Sequence, residues 1–188
     1  PEIKQLLMEE GMLAVKPVVS PMSDKNEFYG DSRPVTTAEH KWIRSVVGAL
    51  SYFAQETRDD IVMEVNRVAQ TLEKPTQGTI KAVKRILAYL AGTVNRVIQV
   101  PIVHGNEWKN YVDTDNAGDR NAGTTSRTGI KLYNNGMPVV WISKKQPRTA
   151  LSSAEAEIYG AGEAGKAGAN PNTNSSHGGD GLSNLIAG

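Results

Sequence analysis

Apolar residues recur at intervals of three and four along the first half of the chain. Along the second half they recur at intervals of two, or in unbroken runs. Residues 2–10 place Ile3, Leu6 and Leu7 on one side of a short helix. Residues 14–35 hold Pro17, Pro21 and Pro34 among polar residues and read as an extended connector. Thr36, followed three residues later by Glu39, is a capping-box signature. The helix it opens carries Trp42, Ile43, Val46, Val47, Leu50 and Phe53 at helical spacing. A second helix sets Ile61, Val65, Val68 and Leu72 in one stripe, with Asp59 and Asp60 suited to its positive end. Pro75 and Gly78 interrupt the pattern. A third helix follows, with Ile80, Val83, Ile86, Leu87 and Leu90 apolar and Gly92 as its stop.

From Arg96 the period changes. Val97–Val100, Trp108–Val112, Thr128–Tyr133 and Met137–Ser143 read as strand-like runs, and Asn134-Asn135-Gly136 is a hairpin turn. The expected arrangement is a meander of three antiparallel strands and then a helix starting at Ser152 or Ser153. Gly160, Gly162, Gly165 and Gly168 each cost that helix about 1 kcal/mol against Ala. Its end is therefore open between Gly160 and Gly168. The pattern predicts an α+β fold. The expected segments are a connector over 1–35, a helical module over 36–95, the sheet and helix over 96–168, and a tail over 169–188. The tail is rich in Gly, Asn and Ser and poor in apolar residues, and is expected to be disordered.

Composition narrows the chemistry. Lys and Arg number 21 and Asp and Glu 20, a net charge of +1, so any attraction to nucleic acid must come from local patches. No cysteine is present, which excludes disulfides and thiolate metal sites. No apolar run approaches the roughly 20 residues of a membrane span. The first residues lack a secretory apolar region. The expectation is an intracellular protein, cytoplasmic or nuclear, not secreted and without a membrane span. A start at Pro1 rather than Met reads as a piece of a longer chain. His40, His104 and His177 have no partner at metal or triad spacing and receive no role.

Two carboxylate-bearing segments stand out, Tyr111–Asp119 and Leu151–Glu157, joined through the basic run Ser143-Lys144-Lys145-Gln146-Pro147. An Asp at a strand end and a Glu in the next helix are hard oxygen ligands on rigid elements, as metal-assisted phosphodiester hydrolysis requires. The residues alone leave alternatives open. Asp113 is a turn former or a ligand. Glu157 is an exposed helix residue or a ligand. Lys144, Lys145 and Arg148 form a solvated loop or contact phosphates. Lys81, Lys84 and Arg85 form the polar face of a helix or a second nucleic-acid patch.

These segments resemble the ribonuclease H region of copia-type retrotransposon polyproteins. The family carries DADWAGD, STSGY and WSSKKQPTVALSSTEAEY; the chain reads DTDNAGD from Asp113, SRTGIKLY from Ser126 and WISKKQPRTALSSAEAEIY from Trp141. Upstream, Trp42–Phe53, Thr57–Ile61, Lys81–Thr93 and Lys16–Met22 are similar to family stretches as well. The resemblance spans roughly 1–168 and nothing after Gly168 matches.

The resemblance implies a helical connector between reverse transcriptase and ribonuclease H, followed by a truncated ribonuclease H-like domain of three antiparallel strands and one helix. It implies Asp113 as the first metal-binding aspartate. Motif register favours Glu157 over Glu155 as the second carboxylate. Lys144, Lys145 and Arg148 would meet phosphates, and Ser152 and Ser153 the nucleic-acid backbone. Asp115 and Asp119 would be turn formers or supporting groups, and Asn116 replaces the family's Trp. The implied cofactor is Mg²⁺ or Mn²⁺ and the implied substrate an RNA–DNA hybrid.

A complete site uses about four carboxylates around two ions, and the chain matches two of them. Asp180 is too close to Glu157 in sequence to follow an intervening strand. The expectation is therefore weak or absent metal binding and no activity alone. The alternative is a domesticated, non-catalytic interaction or structural subunit whose open sheet edge docks on a protein partner. A frame change past Gly168 is a third reading.

Overall fold

A computed structural model describes residues 2–22, 25–100, 102, 105, 107–115, 125–147 and 152–169. The architecture is mixed α+β and divides into two units, Pro1–Val97 and Ile98–Gly188.

The first unit holds α1 (Glu2–Glu9), α2 (Lys25–Gly30), α3 (Thr37–Glu56), α4 (Val62–Ala69) and α5 (Gln77–Gly92). The capping box forms as the spacing predicts: the Thr36 hydroxyl accepts from the Glu39 N–H, and the Glu39 carboxylate accepts from the Thr36 N–H at 2.7 Å. Leu7, Ile43, Leu50, Ile61, Ile86, Leu87 and Leu90 are fully buried. Each such side chain contributes roughly 1.5–3 kcal/mol by leaving water. The stripe Ile61, Val65, Val68 and Leu72 is buried too, although only its middle residues lie within α4.

The connector is not wholly extended, and α2 corrects that expectation. Phe28 is 2% exposed, and the Arg67 guanidinium of α4 stacks 4.2 Å over its ring. A six-residue helix is too short to display a period, and tertiary packing stabilises it. The stretch after it also has a task. The carbonyls of Asp31 and Arg33 accept from the N–H groups of Gly78 and Gln77, filling orphan donors at the start of α5. Gly78 thus opens α5 rather than breaking it. Gly92 ends α5 but not as a left-handed cap: a Cβ there would come within 2.7 Å of Pro17 Cβ, so Gly92 leaves room for the connector.

Asp60 lies before α4 and does not cap it. Its carboxylate takes a two-pronged guanidinium contact from Arg58, both bonds at 2.9 Å, and one from the Tyr89 hydroxyl at 2.7 Å. Arg58 is only 1% exposed and also reaches the Thr93 carbonyl and hydroxyl of the segment after α5. This network ties the α3–α4 corner to the end of α5.

The second unit holds β1 (Trp108–Asp115), β2 (Arg127–Asn134), β3 (Met137–Lys145) and α6 (Ser153–Ala169). The strands form an antiparallel sheet in the order β1-β2-β3. At the β2–β3 turn Asn135 (φ 48°) and Gly136 (φ 83°) both adopt positive φ, the conformation this hairpin requires. Val97–Val100 form no strand. Val97 and Val100 are exposed, and without a partner ladder an alternating run has nothing to hold it extended.

Thr128, Ile130 and Leu132 of β2 are buried under α6, which presents Ala156, Ala164 and Ala167 to the sheet. The helix persists through all four of its interior glycines, so it reaches the far limit of the expected range. A Cβ at Gly160 would run into Thr114 Oγ1 and lie 3.4 Å from Thr128 Cγ2 and Val112 Cγ2. The missing side chain is what lets α6 approach the sheet. Of the tail expected over 169–188, Ala169 still belongs to α6, and 170–188 lie outside the described residues. Among the described residues no helix is long and apolar enough to cross a membrane.

Candidate carboxylate and nucleic-acid site

Strand alternation assigns the β1 side chains to faces. Asn110 donates to the Ala164 carbonyl of α6 at 2.8 Å, and Val112 and Thr114 border Gly160. Even-numbered residues of β1 therefore face α6, and Tyr111 and Asp113 stand on the other face. The Tyr111 ring confirms the parity by meeting Tyr133 edge-on at 5.6 Å, away from the buried Ile130 and Leu132. β1 runs on to Asp115, so Asp113 is an exposed strand residue opposite Gly129, not a turn former.

Glu157 lies near the start of α6 and is exposed. Along α6, Gly168 approaches Asn110, Ala164 bonds Asn110, and Gly160 meets Val112 and Thr114. The helix thus runs antiparallel to β1, and its first turns lie over the end of β1 that carries Asp113. Glu157 is three turns before Gly168 and points the same way, toward the β1 side. The two carboxylates share one end of the unit but not one face of the sheet.

The basic run is largely built into the fold. Lys144 has the helix-facing parity and pairs with Glu163, one of whose oxygens also accepts from Lys166 at 2.8 Å. The Lys144 hydrogen bond, then that of Lys166, holds the Glu163 carboxyl below the usual glutamate range. Lys145 is exposed on the opposite face, across from Arg127. Ser152 is the N-cap of α6: its hydroxyl accepts from the Glu155 N–H at 3.1 Å. Ser153 is exposed and opens the helix. Arg148, Asn116, Asp119 and Asp180 lie outside the described residues.

A depressed folded pKa makes the contribution of Glu163 present above the unfolded value of about 4.3 and lost as pH falls through the folded one. Its two lysines are substantially exposed, so Glu163→Gln should cost less than about 1 kcal/mol at pH 7. The difference between parent and variant in urea melts of the second unit should shrink as pH falls below about 4.3 and vanish once pH is below the folded value.

Sequence reasoning missed Gln146. Its buried amide donates to Thr128 Oγ1 at 2.9 Å and to the Ala156 carbonyl at 3.0 Å, while its backbone N–H donates to Ser126. The available signal was a polar residue at helix-facing parity directly before a proline. In the first unit Lys81 pairs with Asp31 at 2.9 Å and is exposed beside Lys84, whereas Arg85 is half-buried. The Arg33 hydrogen bonds, then that of Lys81, hold Asp31 well below the usual carboxylate range. His40 is tied to the Leu72 carbonyl at 2.8 Å. His104 and His177 lie outside the described residues.

Among the described residues no group of three or more Asp, Glu or His is placed to hold a metal ion. Asp113 and Glu157, on different faces, do not by themselves make the donor set of a two-ion site.

Over 157 residues, 82% of its length, the chain is 39% identical to a retrovirus-related Pol polyprotein from transposon RE1 of Arabidopsis thaliana, and covers 10% of it. Over 174 residues, 87% of its length, it is 36% identical to a retrovirus-related Pol polyprotein from transposon TNT 1-94 of Nicotiana tabacum, and covers 13% of it. It is also 35% identical over 120 residues, 64% of its length, to secreted RxLR effector protein 161 of Plasmopara viticola, and covers 84% of that protein. The chain thus spans about a tenth of the length of the transposon polyproteins it matches. No protein-family model and no solved structure matches.

Proposed function

The chain belongs to the retrovirus-related Pol polyproteins of copia-type transposons, and from that premise we propose that its second unit is the first half of a ribonuclease H-like domain. The activity of the complete domain is metal-dependent hydrolysis of the RNA strand of an RNA–DNA hybrid. Asp113 and Glu157 supply two of its carboxylates, and Lys145, Arg148 and Ser153 lie along the nucleic-acid strand. Lys144 and Ser152, which the resemblance also assigns to the nucleic acid, are held by Glu163 and by the helix start. The observation that carries the reading is the placement of Asp113 and Glu157 at one end of a three-stranded meander covered by a single helix. The described residues alone hold no full donor set, and the expected result for the chain by itself is no hydrolysis of a hybrid.

The test joins to this chain the segment that follows the matching region in the RE1 polyprotein. A labelled RNA–DNA hybrid is then supplied with Mg²⁺ or Mn²⁺. The joined chain should cut the RNA strand, and Asp113→Asn or Glu157→Gln should abolish the cut. An intact hybrid despite a complete carboxylate set would overturn the proposal, as would variants that cut like the parent.

A second reading has its own observation. One edge of β1 is unpaired among the described residues, and Trp108 (45%), Tyr111 (59%) and Val112 (41%) are exposed along it. A partner could add a strand there, making this chain a non-catalytic docking module. A chain that stays a soluble monomer and retains no partner in a pull-down would count against it.

A further inference from the structure

We propose that Gln146 is the positioning residue for Glu157, an assignment that rests on the reading of Glu157 as a site carboxylate. Pro147 forces the residue before it into extended backbone. Gln146 therefore continues the parity of Ile142 and Lys144 and turns its side chain toward α6. There the amide bridges two elements: one N–H bond goes to Thr128 Oγ1 of β2 and one to the Ala156 carbonyl in the first turn of α6. The side chain is buried, and Thr128 is fully so.

Ala156 immediately precedes Glu157, so the tether sets both the height and the rotation of the first turn on the sheet. The apolar contacts of the first turn carry no directional bond to the sheet. Ala156, Gly160, Ala164 and Ala167 are small, and a stripe of small residues resists sliding and rolling poorly. Lys144–Glu163 and Asn110–Ala164 hold the helix one to two turns further on.

The experiment is amide hydrogen exchange on the full chain, corrected for intrinsic rates. Gln146→Met keeps length and apolar volume and removes both donors. Exchange at Glu157–Gly160 should speed up about tenfold to a hundredfold, the range one or two buried hydrogen bonds supply. Ala164–Ala167 and the β2–β3 ladder should keep their protection. Thr128→Val removes one acceptor and should give a smaller change at the same amides. Gln146→Glu should lose protection as a carboxylate and regain it when the acid is protonated and can donate again; the parent shows no such recovery. Equal loss across the whole unit, or none at the first turn, would overturn the proposal. Neither result involves hybrid cleavage, so failure here is separable from failure of the nuclease reading.

Discussion

Arg58→Met is expected to destabilise the first unit by about 3–5 kcal/mol, the range for removing one partner of a buried charge pair. The guanidinium spends four hydrogen bonds on Asp60 and Thr93, and its Cζ lies 5.6 Å from the centroid of the Tyr89 ring. Methionine fills much of the volume but leaves Asp60 half-buried with only the Tyr89 hydroxyl and the exposed Arg96. The Thr93 carbonyl loses its donor at the end of α5. Burial alone pushes the Asp60 carboxyl up, but the Arg58 and Tyr89 hydrogen bonds and the charges of Arg58 and Arg96 together hold it below its ordinary value.

The sign follows. The Asp60 contribution is present above the unfolded value of about 3.9 and lost as pH falls through the folded one. Urea unfolding followed by Trp42 fluorescence reads this unit, because the other two tryptophans, Trp108 and Trp141, lie in the second. Arg58→Lys restores a charge without the planar fork and should recover part of the loss. A midpoint change worth less than 1 kcal/mol for Arg58→Met would refute the account.

Gly160→Leu is expected to cost the second unit about 3 kcal/mol or more, at the upper end of overpacking. Even the first carbon of the new side chain would run into Thr114 Oγ1, and the rest would have to pass between Val112 and Thr128. Thr128 is fully buried and Gly160 sits mid-helix, so neither side can give way without lifting α6. Gly162→Leu is the control. Its Cβ would meet nothing within 4 Å, and replacing a helical glycine there should stabilise by up to about 1 kcal/mol. Fluorescence of Trp108 and Trp141 should report early unfolding in the first variant only. The same outcome from both would mean that helix propensity, not close approach, governs α6.

The elements themselves were legible because each has a local cause. The Thr36–Glu39 cap, the stripe through Ile61 and Leu72, the Asn135-Gly136 turn and the start of α6 at Ser153 all act within a few residues. The α+β arrangement follows from where the period changes. Legibility stopped where the cause was distant in sequence. Helix α2 depends on Phe28 meeting Arg67, and the extended reading of 14–35 had no means to see that contact. Val97–Val100 has a strand's pattern and, among the described residues, no partner strand.

For the candidate site, sequence put forward Asp113, Glu157 and the basic run but could not sort them by face. A single-residue offset decides which side of a strand a group occupies, and only the packing of Asn110, Val112 and Thr114 against α6 placed Asp113 on the other side. Sequence by itself therefore determined which residues carry charge and which elements bear them. The tertiary structure decided which polar groups are engaged: Lys144 is held by Glu163, Ser152 by its own helix, and Gln146, a polar residue in a basic run, is buried as a tether. A side chain's partner is set by three-dimensional proximity, which spacing along the chain does not encode.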